Sequence, residues 1–290
     1  MPIRPRLVAM DLDGTLLDDA HDVTEPTRRA LCRARDAGIV LVLATSRGPR
    51  AVLDVLHQLS RGVDPVGDLD VIASGGAVLA RWHDGELTIT DHWPLPLGPA
   101  QRVAADAHGR GLAVHWYAGH DWFVSHLDPT TAWEASVVRA EPVVRDLTTC
   151  TEGPDKLMMI DHHGTSPVLE QVVDALPPGL AGTPSNPTYL EVTAVGVDKA
   201  ATLTRLCAAR GVAPSDVAAI GDGRNDLSML TIAGTAIAPA NAVPEVLALA
   251  DLVTASNDED GVAVALDLLR SRAGRPPAHP PVDEGSRHRL

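Results

Sequence analysis

Lysine is nearly absent from this chain. Of 24 basic residues only Lys156 and Lys199 are lysines, and the rest are arginine. Arginine is a planar fork and lysine a compact point charge, so the two are not interchangeable in a tight pocket. Cysteine is also scarce: Cys32, Cys150 and Cys207 lie far apart and are odd in number. That argues against a disulfide framework or a zinc site and suits reduced core thiols. No apolar run approaches the length of a membrane span, so no membrane partner is expected. The opening residues "MPIRPRLVAMDLDG" lead almost directly into a strand and leave no room for a signal peptide, so the expected location is the cytoplasm. Basic charge is in deficit, with a net charge of −14. This speaks against nucleic acid as a partner, because phosphate backbones select basic surfaces. Small anionic substrates remain open, since they respond to the local field of a cleft.

What is present is a soluble, globular composition with 45% hydrophobic and 21% charged residues. The first part of the chain alternates strand and helix. "RLVAMDL" is followed by a capped helical stretch from about Thr24 to Ala37, the buried-strand run "IVLVLAT", a helix from about Pro49 to Leu59 and a strand at "LDVIAS". The alternation resumes with a helix over Lys199–Arg210 and runs through "VAAIGD", "TAIAPA" and "DLVTA" to a last helix from Gly261. Such repeats imply right-handed crossovers and a parallel, Rossmann-like α/β sheet. Between these parts the aromatics cluster, and "AVLARWHDGELTITDHW" reads as a hairpin turning at Asp84-Gly85. Residues 82–188 are therefore read as an α+β domain inserted into a discontinuous core of residues 1–81 and 189–272. The Pro-rich tail 273–290 is expected to be disordered. His162-His163 has no partner at ligand spacing and reads as a solvated loop.

The chemistry starts at "VAMDLDGTLLDD". Asp11 and Asp13 sit one residue apart at the end of a strand, so both face one side. Two carboxylates that close repel unless a cation sits between them or one holds a proton. Ligands of open parallel sheets bind beyond the carboxyl ends of the strands, where this pair falls. A second acidic strand end, "AIGDGRNDLSML", brings Asp222, Asn225 and Asp226. Two acidic strand ends in one sheet can converge on a hard cation, and Mg²⁺ suits an all-oxygen set. Taken singly, an Asp-x-Asp pair is most often a solvated turn. Placement of each acidic group, Thr45 and Lys199 at strand ends or helix starts favours a site.

The ordered set "DLDGTL" (Asp11–Leu16), "LATSR" (Leu43–Arg47), "GVDKAATL" (Gly196–Leu203), "GDGRNDLSML" (Gly221–Leu230) and "SNDEDGVA" (Ser256–Ala263) resembles the haloacid dehalogenase superfamily. Within it the chain is similar to the Cof-type phosphatases, which carry a type IIB α/β cap after the third core strand. The resemblance implies a Mg²⁺-dependent phosphatase acting on a small phosphorylated metabolite, with a sugar phosphate as the expectation from family tendency. Asp11 would be the nucleophile that forms an aspartyl-phosphate, and Asp13 the general acid and base. The metal would be held by Asp11, Asp13 through its carbonyl, and Asp222, supported by Asp226. Thr45, Ser46, Lys199 and Asn225 would bind phosphoryl oxygens, with Arg47 and Gly76 against the substrate.

Two positions depart from the family's pattern: Ser46 stands where glycine is usual, and Gly75 where asparagine is usual. A phosphomutase remains an alternative on these motifs, as does a metabolite-binding regulatory protein on a phosphatase scaffold. The sequence leaves monomer and homodimer equally open. The aromatics Trp116, Tyr117, Trp122 and Phe123 are read mainly as cap core, with stacking on a sugar or ring as the alternative, and Lys156 as a sheet-surface residue, with a substrate-facing role as the alternative.

Overall fold

The computed structural model describes residues 5–61, 65–161 and 167–273. The first segment supplies β1 (Leu7–Met10), α1 (Glu25–Asp36), β2 (Val40–Ala44), α2 (Pro49–Leu59), β3 (Leu69–Ala73), β4 (Val78–His83) and β5 (Glu86–His92). The middle supplies α3 (Leu97–Gly109), β6 (Ala113–Ala118), β7 (Asp121–Val124), α4 (Pro129–Val138), β8 (Val143–Val144), β9 (Lys156–Ile160), α5 (Val168–Asp174), β10 (Leu180–Asn186) and β11 (Tyr189–Ala194). The last part adds α6 (Lys199–Arg210), β12 (Val217–Ile220), α7 (Leu227–Ile232), β13 (Thr235–Ala238), α8 (Pro244–Leu249), β14 (Leu252–Val253) and α9 (Gly261–Ala273).

Two sheets result. The first is eight-stranded in the order β14-β13-β12-β1-β2-β3-β4-β5, parallel as far as β3. Its central strands are apolar on both faces because both are covered. In β1, Val8 and Met10 join a core containing Leu31 of α1 and Leu266 of α9, while Leu7 and Ala9 join one containing Leu203 of α6 and Met229 of α7. Local chemistry sets the helix ends. Asp198 accepts from the Ala201 N–H at 2.7 Å to start α6, and Gly211 stops it at a φ of 61°.

The second sheet, β10-β11-β9-β6-β7-β8, is mostly antiparallel. It has its own core around Trp116, Leu157 and Met159, covered by α3 and α5. Sheet membership corrects the expected boundaries. The hairpin β4–β5 pairs antiparallel with β3 and completes the first sheet, so residue 82 falls inside a core strand. At the other end β11 belongs to the second sheet, which reaches residue 194 and not 188. The hairpin's turn chemistry was legible, but its partner was not: pairing depends on the free edge of β3. The tail beyond Ala273 and the His162-His163 pair lie outside the described residues.

Candidate active site

Strands β12, β1 and β2 lie side by side and each delivers a polar residue at its carboxyl end. Asp11 follows β1 directly, its N–H donating to the Ile220 carbonyl at 3.0 Å. Thr45 follows β2, and Asp222 lies two residues past β12. Lys199 opens α6, is buried, and donates to Asp11 Oδ1 at 2.6 Å and to Asp226 Oδ1 at 2.7 Å. The other Asp226 oxygen accepts the N–H groups of Asp222 (3.1 Å) and Gly223 (3.0 Å), which shapes the acidic loop. Thr15 donates to Asp222 Oδ1 at 2.7 Å. Gly14 has a φ of 75°, and a Cβ there would stand 2.5 Å from Asp222 Oδ2. Glycine is thus required twice over, by the turn and by the close approach of the second acidic loop.

Asp11, Asp222 and Asp226 bring carboxylate oxygens within 4.8 Å of one another. One ammonium cannot neutralise three carboxylates. Burial and then the Asp226 charge push Asp11 well above the ordinary carboxyl range despite Lys199. Burial and the same neighbour push Asp222 up to about 6, against the hydrogen bond from Thr15. Burial opposes the charge on Lys199, but Asp11 and Asp226 outweigh it and hold the ammonium protonated. The surplus negative charge and the oxygen-only donor set fit a hard divalent cation. Asp226 has both oxygens engaged, so it suits support of the metal loop better than direct ligation.

Burial works to raise Asp13, but hydrogen bonds from Arg47 and His21 outweigh it and hold the carboxyl well below the usual range. Arg47 donates through Nε to Asp13 Oδ2 at 2.8 Å and through Nη2 to Oδ1, a bidentate fork. His21 Nδ1 lies 3.4 Å from Asp13 Oδ1. Arg47 is therefore engaged with Asp13, where a substrate contact was expected. Gly76 is placed differently too. Its φ is 107°, a Cβ would lie 2.2 Å from the Asp198 carbonyl, and its own carbonyl accepts from Thr202. It packs the loop after β3 against the start of α6, outside the residues lining the cleft. Thr45 Oγ1 accepts from the Arg47 N–H at 3.0 Å. Ser46, the departure from glycine, accepts from Asn225 Nδ2 at 3.0 Å and so joins two of the expected phosphate-binding residues.

A family profile describing haloacid dehalogenase-like hydrolases matches residues 8–266. The chain belongs to that family. A crystal structure of a haloacid dehalogenase-like hydrolase from Bacteroides thetaiotaomicron superposes with a TM-score of 0.79 at 30% identity, covering 91% of this chain and 98% of that one. The Bacillus subtilis protein YxeH, a candidate phosphatase by its name, is 31% identical over 91% of this chain and 98% of its own. The pyridoxal phosphate phosphatase YbhA of Escherichia coli is 28% identical over 89% of this chain and 96% of its own.

The second sheet closes over the strand-end cluster, forming a cleft of about 270 Å³. Lys156 is buried there, correcting the sheet-surface expectation. Its ammonium donates to the Ser46 carbonyl at 2.6 Å and to Glu191 Oε2 at 3.1 Å, and lies 4.9 Å from the Tyr117 ring centroid. Both lysines of the chain therefore end at the same site. Of the four central aromatics only Tyr117 lines the cleft; Trp116 and Trp122 are core, and Phe123 lies under Arg145. Trp133 reaches the cleft mouth instead, 57% exposed.

Sequence reasoning missed the bracing of the Asp11 loop. Asn241 donates to the Gly14 carbonyl at 2.8 Å and accepts from the Asn257 N–H, while Asn257 Nδ2 donates to Leu17 O at 3.1 Å. Asn257 lies in a quoted motif, but Asn241 had no local signal. Neither did His21, Glu134 nor Tyr189, which come together only in three dimensions.

Proposed function

We propose that the chain hydrolyses a small phosphorylated metabolite in two steps, through an aspartyl-phosphate on Asp11, with Mg²⁺ as cofactor. The observation that carries this reading is the contact of Lys199 with both Asp11 and Asp226 beneath the cleft that also receives Asp13. In the first step an Asp11 oxygen bonds to phosphorus as the ester bond breaks, and Asp13, once it has taken up a proton from solvent against the pull of Arg47, gives that proton to the departing alkoxide. In the second, water attacks phosphorus, Asp13 takes its proton, and Asp11 is released with inorganic phosphate. The ionised state of Asp13 under Arg47 is the form the second step needs. Lys199, Thr45, Ser46 and Asn225 hold and orient the phosphoryl oxygens. Mg²⁺, held by Asp11, the Asp13 carbonyl and Asp222, would supply further charge neutralisation, which phosphoryl transfer chiefly requires.

The second sheet acts as the cap that excludes water from the cleft and selects the leaving group. A relative named for pyridoxal phosphate supports a compact, ring-sized ester as substrate. The test is phosphate release from sugar phosphates, pyridoxal phosphate, nucleotides and p-nitrophenyl phosphate. It is run with Mg²⁺, with chelator, and with Asp11→Asn. Release requiring both metal and Asp11 is expected; release indifferent to Asp11 would sink the mechanism.

A further inference from the structure

The cap side of the cleft is lined by Tyr117, Trp133, Glu134, Lys156, Tyr189 and Glu191. Its charges are unevenly partnered. Lys156 is engaged by Glu191 and the Ser46 carbonyl, and Arg47 by both oxygens of Asp13. Each cation thus already has a carboxylate partner. Glu134 is in the opposite situation. No ion pair involves it among the described contacts, and its recorded partner is the Tyr189 hydroxyl, which donates to Oε2 at 2.8 Å.

An ionised carboxylate can accept several hydrogen bonds, so one from Tyr189 leaves Glu134 with acceptor capacity toward the cleft. The same hydrogen bond fixes where that capacity points. Burial raises the Glu134 carboxyl above its usual range, against the Tyr189 hydrogen bond and the Lys156 charge, which act to lower it. A donor supplied by a ligand would relieve a partly buried carboxylate, and a second anion would aggravate it. Trp133, half-exposed beside it in the chain, offers an apolar face at the mouth.

We propose that Glu134, fixed by Tyr189, is a specificity determinant that selects phosphate esters whose leaving group presents a hydroxyl or protonated nitrogen and rejects those carrying a second anion. This rests on the phosphatase reading of the cleft and adds the leaving-group chemistry. Bisphosphates and phosphorylated sugar acids are thereby poor ligands. Amino sugars and polyols esterified at one end are good ones.

The experiment uses three esters of similar size: glucosamine 6-phosphate, glucose 6-phosphate and 6-phosphogluconate. Binding is measured by calorimetry with Mg²⁺ on the full chain carrying Asp11→Asn, so that turnover plays no part. The amino and neutral sugars are expected to bind about 100-fold more tightly than the sugar acid, as like-charge juxtaposition dictates. Adding Glu134→Gln, which keeps shape and removes charge, should shrink that gap to under about 5-fold. Tyr189→Phe, which frees Glu134 without removing it, should shrink it part-way. Equal or tighter binding of 6-phosphogluconate overturns the proposal, as does a gap unchanged by Glu134→Gln or no binding of either hydroxyl-bearing sugar. Failure of the phosphatase reading is separate: it would be seen as no Asp11-dependent phosphate release by the otherwise unaltered protein, whatever the binding order.

Discussion

Lys199 and Asp226 form an ion pair at 2.7 Å with both side chains almost entirely removed from solvent, at 1% and 0% exposure. The pair links the start of α6 to the acidic loop after β12, and through it to Asp11. Removing one member of such a pair strands the other. Asp226→Ala also orphans the N–H groups of Asp222 and Gly223. Its expected cost is about 3–5 kcal/mol of stability. Denaturant titration checks this, and a loss under about 1 kcal/mol would mean the cluster relaxes around the gap.

Asp11→Asn should behave in the opposite sense. Burial and its acidic neighbours destabilise the Asp11 carboxylate, so the neutral amide is expected to leave stability unchanged or higher at pH 7. Phosphate release should fall by on the order of 10⁴-fold or more, since the nucleophile is gone. Melting curves and turnover on the same preparation separate the two effects.

Arg47→Lys tests the fork on Asp13. A lysine keeps the charge but not two parallel hydrogen bonds, so Asp13 would lose its fixed orientation. The expected result is a fall of about 100-fold in kcat with KM changed much less. A large rise in KM with kcat intact would instead make Arg47 a substrate ligand, as the family resemblance implied.

Arg139 joins cap to core. From the end of α4 it donates to Asp22 Oδ1 at 2.7 Å, Asp54 Oδ2 at 3.1 Å and the Ala20 carbonyl at 2.9 Å. These groups are partly exposed, so Arg139→Ala should cost under about 1 kcal/mol of stability. The sharper expectation is faster hydrogen exchange at the His21 and Asp22 amides, with KM rising several-fold as the cap loosens. Exchange unchanged at those amides would show that the contact does not hold the loop.

Glu134 sets a pH dependence of stability. Its folded carboxyl is raised above the unfolded value by burial, so the folded state binds the proton more tightly. Stability from this group is therefore lost as pH rises from the ordinary carboxyl range through the raised value. Glu134→Gln should raise Tm by about 2 °C at pH 8 and leave it unchanged at pH 4. Equal shifts at both pH values would show that packing, and not charge, is responsible.

Much of this site was legible because strand ends punctuate the sequence. Asp11, Thr45 and Asp222 each follow an apolar run, and the helices over Pro49–Leu59 and Lys199–Arg210 fall where the strand–helix alternation placed them. Lys156 was not legible: its partner Ser46 lies 110 residues upstream, and nothing in "KLMMID" announces a contact at that distance. The hairpin β4–β5 misled for a related reason. A turn specifies two strands to each other but not the sheet edge they join. Ser46 and Gly75 looked like weakened motif positions. In place, Ser46 ties down Asn225, and a Cβ at position 75 would press within 3.3 Å of Glu191 Oε2.

The clasp between Asn257 and Leu17 spans 240 residues of chain. During synthesis the Asp11 loop leaves the ribosome well before its brace, which emerges about 10–50 s later at ordinary elongation rates. β1 must wait for β12 on one side, whereas the second sheet draws all its strands from residues 113–194 and can assemble while the core is still incomplete. A nascent chain thus carries a finished second sheet before its acidic cluster can form, because that cluster waits for the loop after β12.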